Sequence, residues 1–337
     1  MNRRSESFFS LKQAVEGFVN HKYAEGLRPR TIASYERLLN KWIDFEGDKP
    51  INEISIRNIR DYLRWLRTDY KPVRKNGKTH PLSNKTIRNI WVTLSSFFRW
   101  ATVEFDFRNP MEGLSAPKIN MKEVDSFSKD EVASLLKACE YTKKADTGYR
   151  MSFQMRRPTG RRDRAILLLL LDTGLRASEL CALNRGNVNF KTGRVEIVHG
   201  YEGGAKGGKG RTVYLGRVAR KALWRYLIER DEKEEDRYGD PDEDPLFVTK
   251  QDRPMTPNAL RFMVKRLGEK TELKEVYPHK FRHTFAITYL RSGGDIFTLQ
   301  NLLGHSSLKM VRHYASIAEV DVQAAHRKAS PADNWRL

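Results

Sequence analysis

The chain has 337 residues, 39 % hydrophobic and 31 % charged, which is enough for two domains with a sizeable core and excludes a disordered polymer. Its formal net charge of +20 points to a polyanion, nucleic acid first, with a merely basic soluble surface as the plain alternative and no basic amphipathic anchor for a membrane. Two cysteines, Cys139 and Cys181, exclude a disulfide framework and fit a reducing cytoplasm, and the longest apolar run, 165–171, is far too short to span a bilayer.

After a loose start over residues 1–10, Leu11, Val15, Phe18 and Val19 recur at helical spacing. Thr31 opens a second helix with Tyr35, Leu38, Leu39, Trp42 and Ile43 on one face. Ser55 caps a third, carrying Ile59, Tyr62, Leu63 and Leu66. Residues 71–81, rich in Lys, Gly and Pro, read as a basic loop, and Ser83 caps a fourth helix running to about Val103. Residues 11 to about 110 therefore form an all-helical bundle. Between its apolar positions lie Arg28, Arg30, Lys85, Arg88 and Arg99, each either a phosphate contact near a helix start or part of a solvated face.

Asn109-Pro110 ends the bundle, and residues 113–127 read as a linker. Ser128 with Glu131 is a capping box opening the next helix. Residues 143–162 are polar and basic, either a mobile loop or an insertion facing DNA. Residues 163–171 form a buried helix that Gly174 breaks, and 178–183 start another. Residues 194–198 and 212–215 read as two strands of a hairpin, with a third short strand at 246–248. Residues 218–229 and 258–267 are helical, the second capped by Thr256, while 231–244 form an acidic surface segment. The closing helices span 281–291, 296–303, 308–311 and 319–328. The whole is mainly α with a small β component.

Four places in this second half could carry chemistry. Arg176 follows a buried apolar run and needs an anionic partner: phosphate oxygens fit its fork, Glu179 three residues on fits equally, and the second could orient it for the first. The loop 202–210, EGGAKGGKG, matches most of a phosphate-binding P-loop, but Gly210 stands where a Ser or Thr would hold magnesium and a strand follows. A lysine at this hairpin tip, Lys206 with Lys209 as its rival, either reaches a phosphate or is simply solvated. His279 and Arg282 share a helical face; His283, four residues from His279, has the spacing of a zinc pair, but Arg282 lies between them and no metal is expected. His283 reads as facing the core or supporting the site indirectly. His305 and Tyr314 are nine residues apart and would oppose each other on one continuous helix. They converge only if the chain turns, with Gly304 as helix stop and Ser306 or Ser307 as N-cap. On spacing alone Tyr314 is an ordinary helix tyrosine.

Taken together, TGLRASEL at 173–180, KGGKGRTVYL at 206–215, HKFRH at 279–283, LLGHSS at 302–307 and VRHYA at 311–315 resemble the tyrosine recombinases of the phage-integrase and Xer type. The resemblance implies a SAM-like helical core-DNA-binding domain over 1–112, a linker over 113–127 and a mixed α+β catalytic domain over 128–337, closing as a C-shaped clamp on duplex DNA. With about ten residues ahead of the bundle, the chain resembles the two-domain members, and 143–162 look longer and more basic than the family requires. The implied catalytic set is Arg176, Lys206, His279, Arg282, His305 and the nucleophile Tyr314, with Glu179 and His283 in support. By the resemblance, the arginines hold the scissile phosphate, Lys206 protonates the leaving 5′-oxygen, His279 helps take the proton of Tyr314, and His305 bonds the phosphate. A 3′-phosphotyrosyl link conserves the bond energy, so neither metal nor ATP is expected. The protein is then a cytoplasmic, nucleoid-associated enzyme that assembles as a tetramer on its DNA sites, with room for a directionality factor. A type IB topoisomerase and a DNA-binding accessory protein that does not cut are the rival readings, the compact bundle opposing the first and the full catalytic set the second.

Overall fold

The computed structural model describes residues 9–74, 77, 79–119, 125–142, 153–198, 210–232, 240–305, 307–318, 326 and 330–335. The chain divides into two compact units, Met1–Lys122 and Glu123–Leu337.

The N-terminal unit is built on α1 (Leu11–Ala24), α2 (Pro29–Glu46), α3 (Ile56–Thr68) and α4 (Asn84–Phe105). Local chemistry fixes their starts. Ser10 and Gln13 form a reciprocal capping box, as do Ser55 and Asn58, and the Ser83 hydroxyl accepts from the Thr86 amide at 3.2 Å. The second helix begins two residues earlier than Thr31 because Pro29 occupies its first position, where no amide donor is needed. Phe18, Trp42, Tyr62, Phe97 and Phe98 are the large side chains buried at its centre, with Trp42 edge-on to Phe98 at 5.4 Å. The apolar contacts run past Asn109-Pro110, since Met111 and Leu114 still pack on this core.

The C-terminal unit contains α5 (Lys129–Glu140), α6 (Gly160–Thr173), α7 (Ala177–Cys181), β1 (Arg194–Ile197), β2 (Arg211–Tyr214), α8 (Arg217–Asp231), α9 (Pro257–Lys270), α10 (Pro278–Arg291), α11 (Ile296–Leu303), α12 (Leu308–Ala318) and a last short helix, Pro331–Trp335. Helix α6 is the axis: residues from Ala165 to Leu170 are all buried, which is why this segment shows a continuous apolar run instead of a stripe. Helix α8 runs antiparallel to it, with Arg161 paired to Glu229 at one end and the Gly216 amide donating to Asp172 at the other. Strands β1 and β2 pair antiparallel with Arg194 opposite Tyr214 and Ile197 opposite Arg211. Ser128 with Glu131, and Thr256, cap α5 and α9 as expected. Cys139 and Cys181 are free and buried, and burial pushes both thiols up to about 12.

Two expectations change. Residues 246–248 form no strand; among the described residues the segment and its neighbour Pro245 make isolated bridges, Asn184 with Pro245 and Val248 with Pro254, and no strand runs beside it there. The stretch 143–162 is neither a loop nor an insertion throughout. Its last residues belong to α6, and Met155 and Arg157 pair back on Thr142 and Glu140 through backbone bonds of 2.8 and 2.9 Å. Arg157 and Arg162 both bond the buried carboxylate of Asp163, which ties this return to the first turn of α6. Residues 143–152 lie outside the described residues, as does 319–328 apart from 326. Among the described residues no helix is long and apolar enough to cross a membrane.

Candidate active site

Helix α6 ends at Gly174 in the left-handed region, φ 61°. The position needs a glycine twice over, since a Cβ there would also stand 2.5 Å from the Phe285 ring. The turn delivers Arg176 as the residue before α7. Its amide donates to Glu179 Oε2 at 2.8 Å and its Nη1 to Glu179 Oε1 at 2.7 Å. The pair anticipated as one alternative is therefore formed, and Arg176 keeps about a quarter of its side chain (26 %) exposed above it. Glu179 is 2 % exposed; burial opposes its ionisation, but Arg211, and after it Arg176, hold it down at about 2.

Arg282, on α10, is fully buried. Its Nη1 donates to the Gly174 carbonyl at 2.8 Å, and its Nη2 to the Leu303 carbonyl at 2.6 Å and to His305 Nε2 at 2.7 Å. It thus satisfies the carbonyls left over where α6 and α11 end. Burial, then Arg176, lower it to about 9, so the guanidinium stays charged at neutral pH.

Helix α11 ends at Gly304, again left-handed at φ 62°, and the chain turns through His305 into α12. This is the turn that His305 and Tyr314 require: their rings lie nearly parallel, 6.4 Å apart between centroids. Of the two candidate N-caps, Ser306 lies outside the described residues and Ser307 directly precedes α12. Burial beside Arg282 lowers His305 to about 4, so it is neutral. With Nε2 accepting from Arg282, its proton sits on Nδ1, which is buried and has no partner among the described residues.

Tyr314 is 2 % exposed, its ring packed with Ile287, Leu290, Leu299 and Leu303. Burial raises its pKa, opposed by Arg282 and Arg176. The hydroxyl lies 2.8 Å from His283 Nδ1. The resemblance gives His279 the proton of Tyr314 and His283 an indirect role, whereas the contact at the hydroxyl in the structure is made by His283. One turn of α10 separates them; His283 lies inward against α12, while His279 is exposed and meets His283 edge-on at 4.5 Å. Burial, then the neighbouring His279 and Arg282, lower His283 to about 4.

One member of the constellation was not anticipated. Arg211 opens β2 and grips Glu179 with both ends of its fork, Nη1 to Oε1 at 3.0 Å and Nη2 to Oε2 at 2.7 Å. Its Nε donates to the Leu302 carbonyl at 2.7 Å. Nothing local marks it, because its partners lie 32 residues before it and 91 after it. Lys206 and Lys209 lie outside the described residues. No group of His, Cys, Asp or Glu suited to a metal ion occurs among the described residues. Of the basic residues singled out in the bundle, Arg28, Arg30, Lys85 and Arg99 are exposed. Arg88 is half-buried and donates to the Pro117 carbonyl at 3.0 Å.

Two guanidinium groups thus hold a single carboxylate, and a third, that of Arg282, lies with two neutral imidazoles and a phenol. The arrangement suits an anion whose charge grows during reaction. A separate cavity of about 1420 Å³ between α6 and α8 contains none of these residues. Residues 125–320 match the model of the phage integrase family, and 15–104 match that of the phage integrase N-terminal SAM-like domain. Tyrosine recombinase XerC of Alcanivorax borkumensis is 30 % identical over 308 residues, covering 90 % of this chain and 89 % of that one. Tyrosine recombinase XerA of Thermococcus kodakarensis is 29 % identical over 322 residues, 94 % of this chain and 95 % of that one. The fold resembles that of the Tn1549 transposon integrase in complex with a circular intermediate DNA, at a TM-score of 0.70 and 21 % identity over 91 % of this chain and 95 % of that one.

Proposed function

Since the chain belongs to the phage integrase family and is a tyrosine-type site-specific DNA recombinase, we propose that Tyr314 is its nucleophile and that Arg176, Arg282 and His305 hold the scissile phosphate. The observation that carries the assignment is the convergence at Tyr314. Its hydroxyl touches His283, its ring lies along His305, and His305 is bonded to the buried Arg282.

Tyr314 Oη attacks phosphorus and the P–O5′ bond breaks, leaving a 3′-phosphotyrosyl link and a free 5′-hydroxyl. The phenol proton passes to His283, which is neutral and already in contact, with His279 behind it. Lys206 supplies the proton for the departing 5′-oxygen. Arg176 and Arg282 face the non-bridging oxygens, and the unpartnered Nδ1–H of His305 adds a donor there. A 5′-hydroxyl of the partner duplex reverses the step. Atoms and bond energy balance without metal or ATP. The hydroxyl must first be uncovered, because Tyr314 is 2 % exposed.

Duplex binding falls in part to the N-terminal unit. Helices α2 and α4 carry no acidic residue in their first turns, yet Arg28, Arg30 and Lys85 sit there. Cations at the positive end of a helix dipole are unfavourable alone and favourable beside phosphate. Assembly as a tetramer on two DNA sites, with or without a directionality factor, completes the proposal.

A nicked suicide duplex bearing the site should trap a covalent adduct with the native chain and none with Tyr314→Phe. Reversible, salt-sensitive binding with no adduct from either protein would support a DNA-binding accessory role instead.

A further inference from the structure

Arg211 performs none of these steps, yet the site is built across it. Its fork engages both oxygens of Glu179, and its Nε holds the Leu302 carbonyl, next to the Leu303 carbonyl that Arg282 holds. Two arginines from different elements therefore secure the last turn of α11, immediately before Gly304 and His305. Gly304 itself lies on Arg211: a Cβ there would come within 3.0 Å of Nη1 and 3.2 Å of Cδ.

We infer that Arg211 is the positioning residue of this site, fixing Glu179 so that Arg176 is oriented but not neutralised, and joining that pair to the segment that carries His305. The inference rests on the recombinase chemistry proposed above. The physical point is one of competition. Glu179 is buried and ionised, and its negative charge is divided between two arginines. Arg176 gives it only Nη1 from its guanidinium, so Nε and Nη2, without partners among the described residues, remain for phosphate oxygens. Without Arg211, Glu179 has Arg176 alone to compensate it. The carboxylate then takes both sides of that fork, and the phosphate meets a neutral pair in place of a cation. Lysine at 211 would keep the charge but could not span both carboxylate oxygens and a carbonyl.

The test is single-turnover cleavage beside equilibrium binding, on a nicked duplex recovered from a randomised pool by covalent capture with the wild-type chain. Arg211→Met should slow cleavage by ~100-fold while duplex affinity stays within about threefold, since the lost interaction acts in the transition state. Arg211→Lys should fall between. Adding Glu179→Gln to Arg211→Met should restore roughly tenfold, because a neutral amide no longer draws off Arg176. A merely structural arginine predicts instead that folding and duplex affinity fall together with cleavage. Cleavage by Arg211→Met at the wild-type rate, affinity lost in step with cleavage, or no recovery in the double variant each overturns the inference. Should Arg211→Met fail to fold, Arg211→Lys decides: slowed cleavage at unchanged affinity supports it, and a wild-type rate overturns it. No adduct from the pool with the wild-type chain overturns the Tyr314 assignment and this inference together, before any variant is made.

Discussion

The two units bury opposite kinds of interior. The N-terminal core is aromatic and almost free of charge, and several of its polar atoms go without partners: Trp42 Nε1, Tyr62 Oη, Trp91 Nε1 and Trp100 Nε1. The C-terminal unit buries Asp163, Glu179, Arg230, Asp244 and Arg282, each bonded, and leaves one buried side-chain polar atom unpartnered among its described residues, His305 Nδ1. The difference follows from what each interior must do. A bundle that only presents a surface can be held by packing, and an indole N–H enclosed there costs little more than its own hydration. A buried guanidinium is several times more costly to desolvate, and persists only where every donor finds an acceptor. The C-terminal unit supplies acceptors to both terminal nitrogens of Arg282 from its helix ends, through the carbonyls of Gly174 and Leu303.

The contrast can be broken in several ways. The largest effect should come from Phe97→Ala in the aromatic core, which removes a fully buried ring and should cost about 3–5 kcal/mol of the N-terminal unit's stability in urea unfolding. Arg282→Met should cost the C-terminal unit about 3 kcal/mol in the same assay although Met is the more hydrophobic residue, because the Gly174 and Leu303 carbonyls lose their donor. If Met stabilises instead, that charge is tolerated and not required.

A pH series gives a graded effect. Burial holds His283 and His305 near 4 in the folded chain against 6.5 for an ordinary histidine. Between those values the unfolded chain binds more protons, so this contribution to stability is complete above pH 6.5 and is lost as pH falls toward 4. Glu179, held near 2 against an ordinary 4.5, contributes above pH 4.5 and gives way only below that. Unfolding of the C-terminal unit should therefore become easier in two successive windows, and His283→Gln should shrink the first alone.

The smallest changes separate the units most finely. Tyr62→Phe should leave stability unchanged or raise it by up to about 1 kcal/mol, since the hydroxyl it removes is buried without a partner. Arg30→Ala should lower the slope of log affinity against log salt by about one, as expected for one phosphate contact, whereas Arg88→Ala should not, its fork being engaged by Pro117.

What the sequence made legible was local. Ser55, Ser83, Ser128 and Thr256 are helix starts that can be read from a few adjacent residues, because a cap bonds within its own turn. The turn at Gly304 could be argued because only a left-handed residue reconciles His305 with Tyr314. The segment 246–248 reads as a strand and is none, because three apolar residues say nothing about whether a partner strand exists. Arg211 is illegible in the sequence for the same reason on a larger scale: its bonds are to a carboxylate and a carbonyl that folding brings from distant segments. His283 and His279 share a helix and a motif, and only packing against α12 distinguishes which one meets the phenol.

The burial of Tyr314 also bears on accuracy. A DNA-binding protein of large positive charge also associates with arbitrary sequence, through the phosphate backbone. With Tyr314 as the proposed nucleophile, its phenol oxygen is enclosed by α10 and α11 and held by the His283 imidazole, so loose association alone would not bring it to phosphorus. On that proposal, wrong cuts would depend on how often Tyr314 is uncovered and not on affinity alone.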